Sequence, residues 1–505
     1  MTGEGRTRLL AWNTTLLALG VCAVAMPIGV ALAALLTRTN VPGRRVASVI
    51  VCSLLFMPLY LQAAAWQAAF GLGGWATTAM GSFGEPLLVG WWGAIWIHAM
   101  AATPWVTLIV GLGLVAVPGE LEELASLDAS PLRVLTGVTL RYAAPSLGVA
   151  LLWILVSTAG DMTVADVFQI RTYAEEVYIG YALGDDLVDT PLGVLPGIAL
   201  IAVLATAAAV VCLRVLPRGR QISLRKRIVF DLGRWRWPAA VALSLLLAVL
   251  VAVPLLGLIH QAGVPLHEAG GSTQLQWSLG ETISAVARSP IEFRRELGWT
   301  FLIGSLAATA AWCLAIALAW WACESRRGAV IAVAVAAICL AVPGPMTGLG
   351  ISRMLTQPDL PLLIDLRDRS IFSPWLAQTI RCLPLCILVS WFALRSVPEQ
   401  TLDRAKTEGL GYWRRLWSIA MPQRRAALIA AWLIGFVVAT GDAAATAGDL
   451  VAPPGVDLMS RRIAGMLHSA IDTYAAGICL FNLLLFTAMA LLTMWLFRRQ
   501  LQRNG

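Results

Sequence analysis

Two aspartates stand at matching places in long apolar stretches of the chain. Asp161 ends the string Thr-Ala-Gly-Asp and Asp442 ends the string Ala-Thr-Gly-Asp. If these stretches cross a membrane, a carboxylate at the centre of a lipid-facing helix costs roughly 2.5–3.5 kcal/mol, and less near the interface. We interpret the pair in two ways that stay open: as acids that line a path for a cationic solute, or as helix caps solvated at the membrane surface.

Three further polar residues lie inside apolar stretches. Arg381 stands mid-stretch near Pro384, and we expect it to pair with an acid or to face a pore. His98 and Gln378 occupy matching positions, and we expect each to form hydrogen bonds between helices. The candidate pathway residues are therefore Asp161, Asp442 and Arg381.

The residues that support enzyme chemistry do not form a recognisable constellation. The nine cysteines lie within or at the ends of apolar stretches, form no Cys-x-x-Cys pair, and are interpreted as small packing residues. Cys382 and Cys386 share a helix face, yet the sequence offers no further ligand nearby. We expect no disulfide, no metal site and no cofactor.

ATP hydrolysis is excluded on the same grounds. A phosphate-binding loop needs the pattern G-x-x-x-x-G-K-[ST], whose lysine reaches the phosphates. The chain has only two lysines, Lys226 after an arginine and Lys406 after an alanine, so neither fits. We expect the chain not to be an enzyme.

The composition of the chain indicates whether it folds in water or in lipid. Of the 505 residues, 58% are hydrophobic and 13% are charged, and the mean hydropathy is +0.76. Soluble domains rarely exceed about half apolar residues, so this chain needs lipid as a solvent. The sequence predicts an all-α, polytopic membrane protein.

Eleven apolar stretches have the length of about 20 residues that a helix needs to cross a bilayer. The predicted spans are 9–36, 46–70, 91–115, 143–164, 191–215, 238–259, 298–322, 329–350, 375–394, 426–445 and 474–496. The first is too long for a signal peptide and ends without a convincing cleavage site.

Basic residues orient the spans. Alternate loops collect about 25 of the 37 lysines and arginines on one side, above all the run 214–236, and this side is assigned to the cytoplasm. An odd number of spans puts the first residue outside, which Arg6 and Arg8 fit poorly. A twelfth span upstream of the sequence would remove that conflict.

The chain repeats itself at an offset of about 280 residues. The second and eighth spans break at Pro58 and Pro343, and the third and ninth contain Pro104 and Pro384. Proline frees backbone carbonyls, which survive only where protein or a cavity covers them. We predict two five-span units, residues 1–216 and 261–505, joined by a basic linker and an extra span, residues 217–260.

A polar, helix-compatible segment follows the third span of each unit. In the second unit residues 403–405 read Asp-Arg-Ala, a glycine stands at 409, and 419–422 read Ile-Ala-Met-Pro; in the first, 122–124 read Glu-Glu-Leu, aspartate stands at 128 and arginine at 141. Acids favour a helix N-terminus, glycine or aspartate favours a sharp turn, and proline fits a first turn. The residues assigned to contact with a partner are Glu122, Glu123, Asp128, Asp403, Ala405, Gly409, Gly411 and Pro422.

This segment resembles the E-A-A-x3-G-x9-I-x-L-P signature of permease subunits of binding-protein-dependent ABC importers. The stretch that leads into the first copy, from Pro-Trp-Val to Val-Pro-Gly-Glu-Leu-Glu-Glu, and the two Gly-Asp strings look like the fused type that serves ferric iron or thiamine. The resemblance covers essentially the whole chain. It implies that each segment is a coupling helix docking on a separate ATP-binding subunit.

The resemblance also implies the partners: a cytosolic ATP-binding subunit in two copies, a periplasmic or extracellular substrate-binding protein and membrane lipid, with no nucleic acid. It places the chain in the cell (inner) membrane and favours a cationic substrate. The alternative is an ion-coupled secondary transporter, which also uses repeats and broken helices. An intramembrane enzyme would need a catalytic constellation that the sequence lacks.

Overall fold

The computed structural model is almost entirely helical over the residues that it describes: 3–79, 85–182, 229–264, 277–357, 359–443, 451–468 and 471–503, with isolated positions and two short strands besides. The helices before residue 183 are α1 Gly3–Arg38, α2 Arg44–Leu54, α3 Leu59–Phe70, α4 Trp75–Ala79, α5 Gly90–Val115, α6 Gly119–Asp128, α7 Pro131–Val134, α8 Leu140–Tyr142, α9 Ala144–Ala159, α10 Thr163–Val167 and α11 Tyr173–Ala182.

The helices after residue 228 are α12 Arg236–Leu247, α13 Val253–Ala262, α14 Leu279–Glu292, α15 Arg294–Glu324, α16 Arg326–Ala341, α17 Gly344–Leu355, α18 Pro361–Asp368, α19 Phe372–Arg395, α20 Glu399–Thr407, α21 Tyr412–Arg415, α22 Met421–Gly441, α23 Met459–Met466 and α24 Thr473–Arg503. The smaller elements are π-helices at Leu135–Thr139, Ala248–Ala252 and Leu416–Ala420, a 3-10 turn at Gly233–Trp235, and an antiparallel pair of strands, β1 Glu268–Ala269 and β2 Ser272–Thr273.

Seven helices in the described part of the chain are long and apolar enough to cross a membrane, or up to ten if each of three bent pairs is one span. The chain is thus an all-α, multi-pass membrane protein. Several predicted spans match helices closely, as 91–115 matches Gly90–Val115. The predicted fifth span, 191–215, and most of the basic run that follows it lie outside the described residues.

Prolines produce the two sharpest bends. Helices α2 and α3 meet at 108°, and α16 and α17 meet at 97°. Pro58 and Pro343 stand immediately before the second helix of each pair, with extended ψ angles of 152° and 151°. Proline lacks an N–H and disfavours the helical conformation in the residue before it. The predicted breaks at these two prolines are confirmed, whereas Pro104 and Pro384 lie inside the unbroken helices α5 and α19.

Two predicted spans extend too far at their C-terminal ends. The prediction 143–164 meets a helix that ends at Ala159, and the prediction 426–445 meets one that ends at Gly441. Glycine and aspartate follow one another at both ends, and both residue types favour helix termination. The two aspartates of interest therefore lie just beyond a helix, rather than within it.

The element order of residues 3–159 recurs in residues 294–441. Each stretch has a long helix (α1 or α15), a bent pair, a proline-containing helix (α5 or α19), a surface helix (α6 or α20), a short helix running into a π-helix, and a final apolar helix (α9 or α22). Both final helices begin at a kink, since α9 is bent by 67° from the helix before it and Arg424 in α22 has non-helical angles.

The two halves pack against each other through these bent pairs. Val156 and Ala159 of α9 cluster with Ala337 and Ala341 of α16. The end of α22, in the second half, likewise contacts the break between α2 and α3 in the first half. The approach is close, since a Cβ atom added to Gly441 would lie 3.0 Å from Pro58 Cγ. Each final helix thus contacts the bent pair of the other half.

Candidate functional site

The first surface segment, residues 119–142, is called the first elbow. Its helix α6 begins after Pro118, and the acids of its first turn include Glu122. Leu124, Leu127 and Leu132 are largely exposed, and Leu127 reaches 81%. Large exposed apolar side chains beside acids are typical of a surface that binds another protein.

Glu122 faces the other way and is completely buried. Its carboxylate pairs with Arg38, the last residue of α1, at 3.0 Å, and accepts a hydrogen bond of 2.7 Å from the Thr139 hydroxyl in the π-helix. Arg38 also donates to the carbonyl of Leu114 near the end of α5. One buried ion pair thus joins the elbow to two apolar helices, and the Glu122 carboxylate is not exposed on the surface of the elbow.

The second surface segment, residues 399–420, is called the second elbow. Its helix α20 begins after Pro398, and Gly409 follows it with a left-handed φ of 81°. Gly411 then precedes α21 with an ordinary φ of −63°. Pro422 lies in the first turn of α22, as the sequence predicts for a proline at that place.

The second elbow is joined to its long helix by charges of reversed sign. Glu324 is the last residue of α15, and its carboxylate lies 2.9 Å from Arg415 of α21 and 3.9 Å from Lys406 of α20. Arg415 is 8% exposed and Glu324 is 22% exposed. In the first half the long helix supplies the cation; in the second it supplies the anion.

The proline caps correct the register between the elbows. Counting from Pro118 and Pro398, Glu123 matches Asp403 and Ala125 matches Ala405, one position later than the sequence motif assigned. Exposure agrees, since Glu123 and Asp403 are both exposed whereas Glu122 is buried. Ala405 is 4% exposed, so it packs beneath its helix.

Asp128 does not replace Gly409 in geometry. It is the last residue of α6 and the chain leaves through extended Ala129, with φ −136° and ψ 149°. Pro131 then starts the next helix after only one more residue. The first elbow therefore turns without a left-handed residue, and the expectation that Asp128 makes the sharp turn is wrong.

Arg381 pairs with Asp442, one of its two expected roles. Its Nε atom lies 2.5 Å from Asp442 Oδ2, and its Nη1 atom donates to the carbonyl of Val342 at 3.0 Å. Val342 is the residue just before Pro343, at the bend of the second half. The arginine therefore donates one hydrogen bond to a carbonyl that the bend exposes and another to the carboxylate just beyond the final helix.

Asp161 has a cationic candidate partner in the first half. Its Oδ2 atom lies 3.3 Å from His98 Nε2 and accepts a hydrogen bond of 3.0 Å from the Val164 amide. Asp161 thus accepts a backbone amide in the first turn of α10, whose N-cap residue is Met162. Because both aspartates have partners within their own half, they do not form an unpaired acidic site between the halves. Gln378 is 1% exposed, but its buried Oε1 atom has no hydrogen-bond partner, so the structure does not show the expected interhelical bond for this atom.

Metal chemistry finds no support in the described residues, where no group of three or more His, Cys, Asp or Glu side chains could hold an ion. Cys382 and Cys386 are buried, and their sulfurs lie near backbone carbonyls of α15 and α22.

Sequence reasoning missed Arg38, Glu324 and Arg415. In the sequence, Arg38 contributes only to the basic charge that orients the spans, and Glu324 and Arg415 are only charged residues of loops. A usable signal did exist: a single charged residue ends the long helix of each half, and opposite charges occur in the following elbow. No protein-family model matches the sequence, and no curated protein is detectably similar to it.

Proposed function

We propose that the chain is the transmembrane permease subunit of an ABC importer, with two fused permease repeats. The observation that carries the proposal is the pair of elbows, each joined by an ion pair to the long helix of its own half. A separate ATP-binding subunit, one copy per elbow, docks on the exposed faces. Movement of that subunit then displaces the long helix and the final helix of each half together.

The π-helices and bends between each elbow and its final helix support this transmission of movement. Each elbow reaches its final apolar helix through a π-helix, Leu135–Thr139 or Leu416–Ala420, and a bend. Such π segments occur frequently at functional sites. Because each final helix packs on the bent pair of the other half, a rotation at the elbows changes the contact between the halves.

The substrate proposal comes from the resemblance and remains a cation such as ferric iron or thiamine, delivered by a substrate-binding protein at the cell (inner) membrane. Arg381 and His98 already face the two aspartates, so a cationic solute that used these carboxylates would have to displace them. The pathway role of Asp161, Asp442 and Arg381 is accordingly proposed as holding the helices around the path.

Reconstitution tests the proposal. The purified chain alone in proteoliposomes is expected to hydrolyse no ATP, and addition of its cognate ATP-binding subunit is expected to give a stable complex whose transport requires ATP. The second candidate is an ion-coupled secondary transporter, favoured by the buried His98–Asp161 pair. Transport by the chain alone, driven by a proton gradient, would support that candidate and contradict the importer.

A further inference from the structure

His98 lies between two groups that can only accept hydrogen bonds. Its Nδ1 atom is 2.9 Å from the carbonyl oxygen of Ala94, one turn earlier in α5. Its Nε2 atom is 3.3 Å from the carboxylate of Asp161. Side-chain exposure is 4% for His98 and 12% for Asp161, so both groups are largely withdrawn from solvent.

A neutral imidazole cannot satisfy both neighbours. It carries one N–H, and its other nitrogen presents a lone pair. If Nδ1 donates to Ala94, then Nε2 faces an ionised carboxylate with a lone pair; if Nε2 carries the proton, Nδ1 faces the carbonyl in the same unfavourable way. One additional proton, on His98 or on Asp161, removes the repulsion between two acceptors; in this arrangement Nε2 lies within ion-pair distance of the carboxylate but makes no hydrogen bond to it.

The proton also affects a neighbouring helix. Asp161 Oδ2 accepts the Val164 amide at 3.0 Å, in the first turn of α10, which begins two residues later. Loss of the proton places two acceptors against each other at the contact between α5 and this turn. The position of α10 is thus coupled to the protonation of the pair.

The second half has a fixed charge at the corresponding place. Asp442 pairs with Arg381, which keeps its proton at all accessible pH values. Gln378 occupies the position that matches His98, and Ala101 occupies the position that matches Arg381. Only the first of these two contacts can therefore exchange a proton.

We propose that His98 and Asp161 form a binding site for a single proton, taken from the aqueous phase, which holds α10 against α5. The other titratable or charged side chains on the helices packed against α5 and α10 are Arg6, Arg8, Cys22 and Arg38 on α1, Arg44, Arg45 and Cys52 on α2, Tyr60 on α3, Asp166 on α10, and Tyr173, Glu175, Glu176 and Tyr178 on α11. Asp166 lies 3.2 Å from His468 of the second half, so a shift of α10 reaches the contact between the halves.

Nitrogen NMR of the full chain in lipid, labelled with ¹⁵N-histidine, tests the site. The chain has only four histidines, and His98→Gln assigns the signal of interest. We expect both ring nitrogens of His98 to carry protons at the acidic end of a pH 5–9 series, with a single proton lost across it, and Asp161→Asn to change that titration. A ring with one proton throughout, or a titration unaffected by Asp161→Asn, would overturn the proposal.

Hydrogen exchange of the α10 amides supplies a second readout. In the native chain we expect protection, corrected for intrinsic rates, to fall about tenfold when the pair loses its proton, the fold-change that corresponds to about 1.4 kcal/mol. The double variant His98→Gln with Ala101→Arg copies the second half, and its protection should lose the part of the pH dependence that the pair causes, so that only the part due to other groups such as Glu175 remains. A pH-dependent loss of equal size in that variant would overturn the proposal. Both measurements use the chain without an ATPase, so they succeed or fail independently of the importer proposal.

Discussion

Arg38 and Glu122 are separated by 84 residues in sequence, yet they form a buried ion pair. Removing one partner of such a pair leaves an uncompensated charge, which costs about 3–5 kcal/mol. We expect Glu122→Gln to lower the thermal midpoint of the detergent-solubilised chain strongly, and the charge exchange Arg38→Glu with Glu122→Arg to recover part of the loss.

Glu324→Gln is the matched control for that variant. Its carboxylate holds the equivalent contact in the second half, but it is 22% exposed, so water compensates part of the loss. We therefore expect a smaller decrease in the thermal midpoint. Equal decreases for Glu122→Gln and Glu324→Gln would contradict the difference in burial on which the prediction depends.

The backbone angle at position 409, rather than lack of space, requires a glycine there. Its φ is 81°, and a Cβ atom added there would meet no other atom within 4 Å. A left-handed conformation costs an ordinary L-residue roughly 1–2 kcal/mol. We expect Gly409→Val to abolish transport while leaving membrane insertion intact, and Gly409→Asn to retain part of the activity, because asparagine tolerates this conformation.

Gly411→Val is the control for the turn. Gly411 has an ordinary φ, and its added Cβ would also meet no neighbour. Transport should persist in this variant. Normal transport by Gly409→Val, measured in the same vesicles, would count against a role of the second elbow in coupling.

Glu175 gives the chain a predictable dependence on pH. Burial raises the pKa of this carboxyl from about 4.5 to about 7, and the nearby Asp166 adds to the shift while the Thr172 amide and Arg171 oppose it. The folded chain therefore holds a proton that the unfolded chain has lost between these values. The contribution of Glu175 to the free energy of unfolding should be greatest below about pH 4.5 and should fall by about 2–3 kcal/mol as pH rises to about 7.

Thermal midpoints at pH 5 and pH 8 measure this effect. Glu175→Gln should remove the part of the decrease that this residue causes. Glu176→Gln is the control, because Glu176 is the next residue of the same helix and forms an ion pair with Arg6. An unchanged pH dependence in Glu175→Gln would show that another group controls it.

At the scale of elements, the contact between halves depends on small residues. A Cβ atom on Gly441 would lie 3.0 Å from Pro58 Cγ and 3.1 Å from its Cβ, whereas at Gly160 it would meet only a carbonyl of its own helix, at 3.3 Å. Overpacking costs typically about 1–3 kcal/mol. We expect Gly441→Leu to lower the thermal midpoint more than Gly160→Leu, and the reverse order would contradict the observed contact between the halves.

The sequence predicts the helices and their breaks better than it predicts how they pack. Proline chemistry is local, so the breaks at Pro58 and Pro343 could be predicted. The bends of about 100° could not, because packing against the other half sets an angle, and the pairing of Arg38 with Glu122 joins residues distant in sequence. The elbow register was misjudged because the motif was aligned by counting across a turn whose length differs between the halves.

At the scale of the whole molecule, the account requires two elbows that receive one kind of partner. Their exposed faces differ in chemistry, since the first presents leucines and the second presents Trp413 and Trp417. The ion pairs behind them have opposite polarity. The two halves therefore position their elbows by the same kind of contact without identical residues, and we expect two copies of one ATPase to dock with unequal strength.

Photo-crosslinking tests this central claim most directly. A crosslinking amino acid at Leu127, and in a second variant at Trp413, should attach the chain to its cognate ATP-binding subunit when both are produced in the same cells. The same amino acid at Leu388, exposed in the middle of α19, is the control and should not attach to it. Crosslinks from both elbows and none from Leu388 are the predicted result; no crosslink from either elbow, with transport unaffected by deletion of the ATPase gene, would contradict the account.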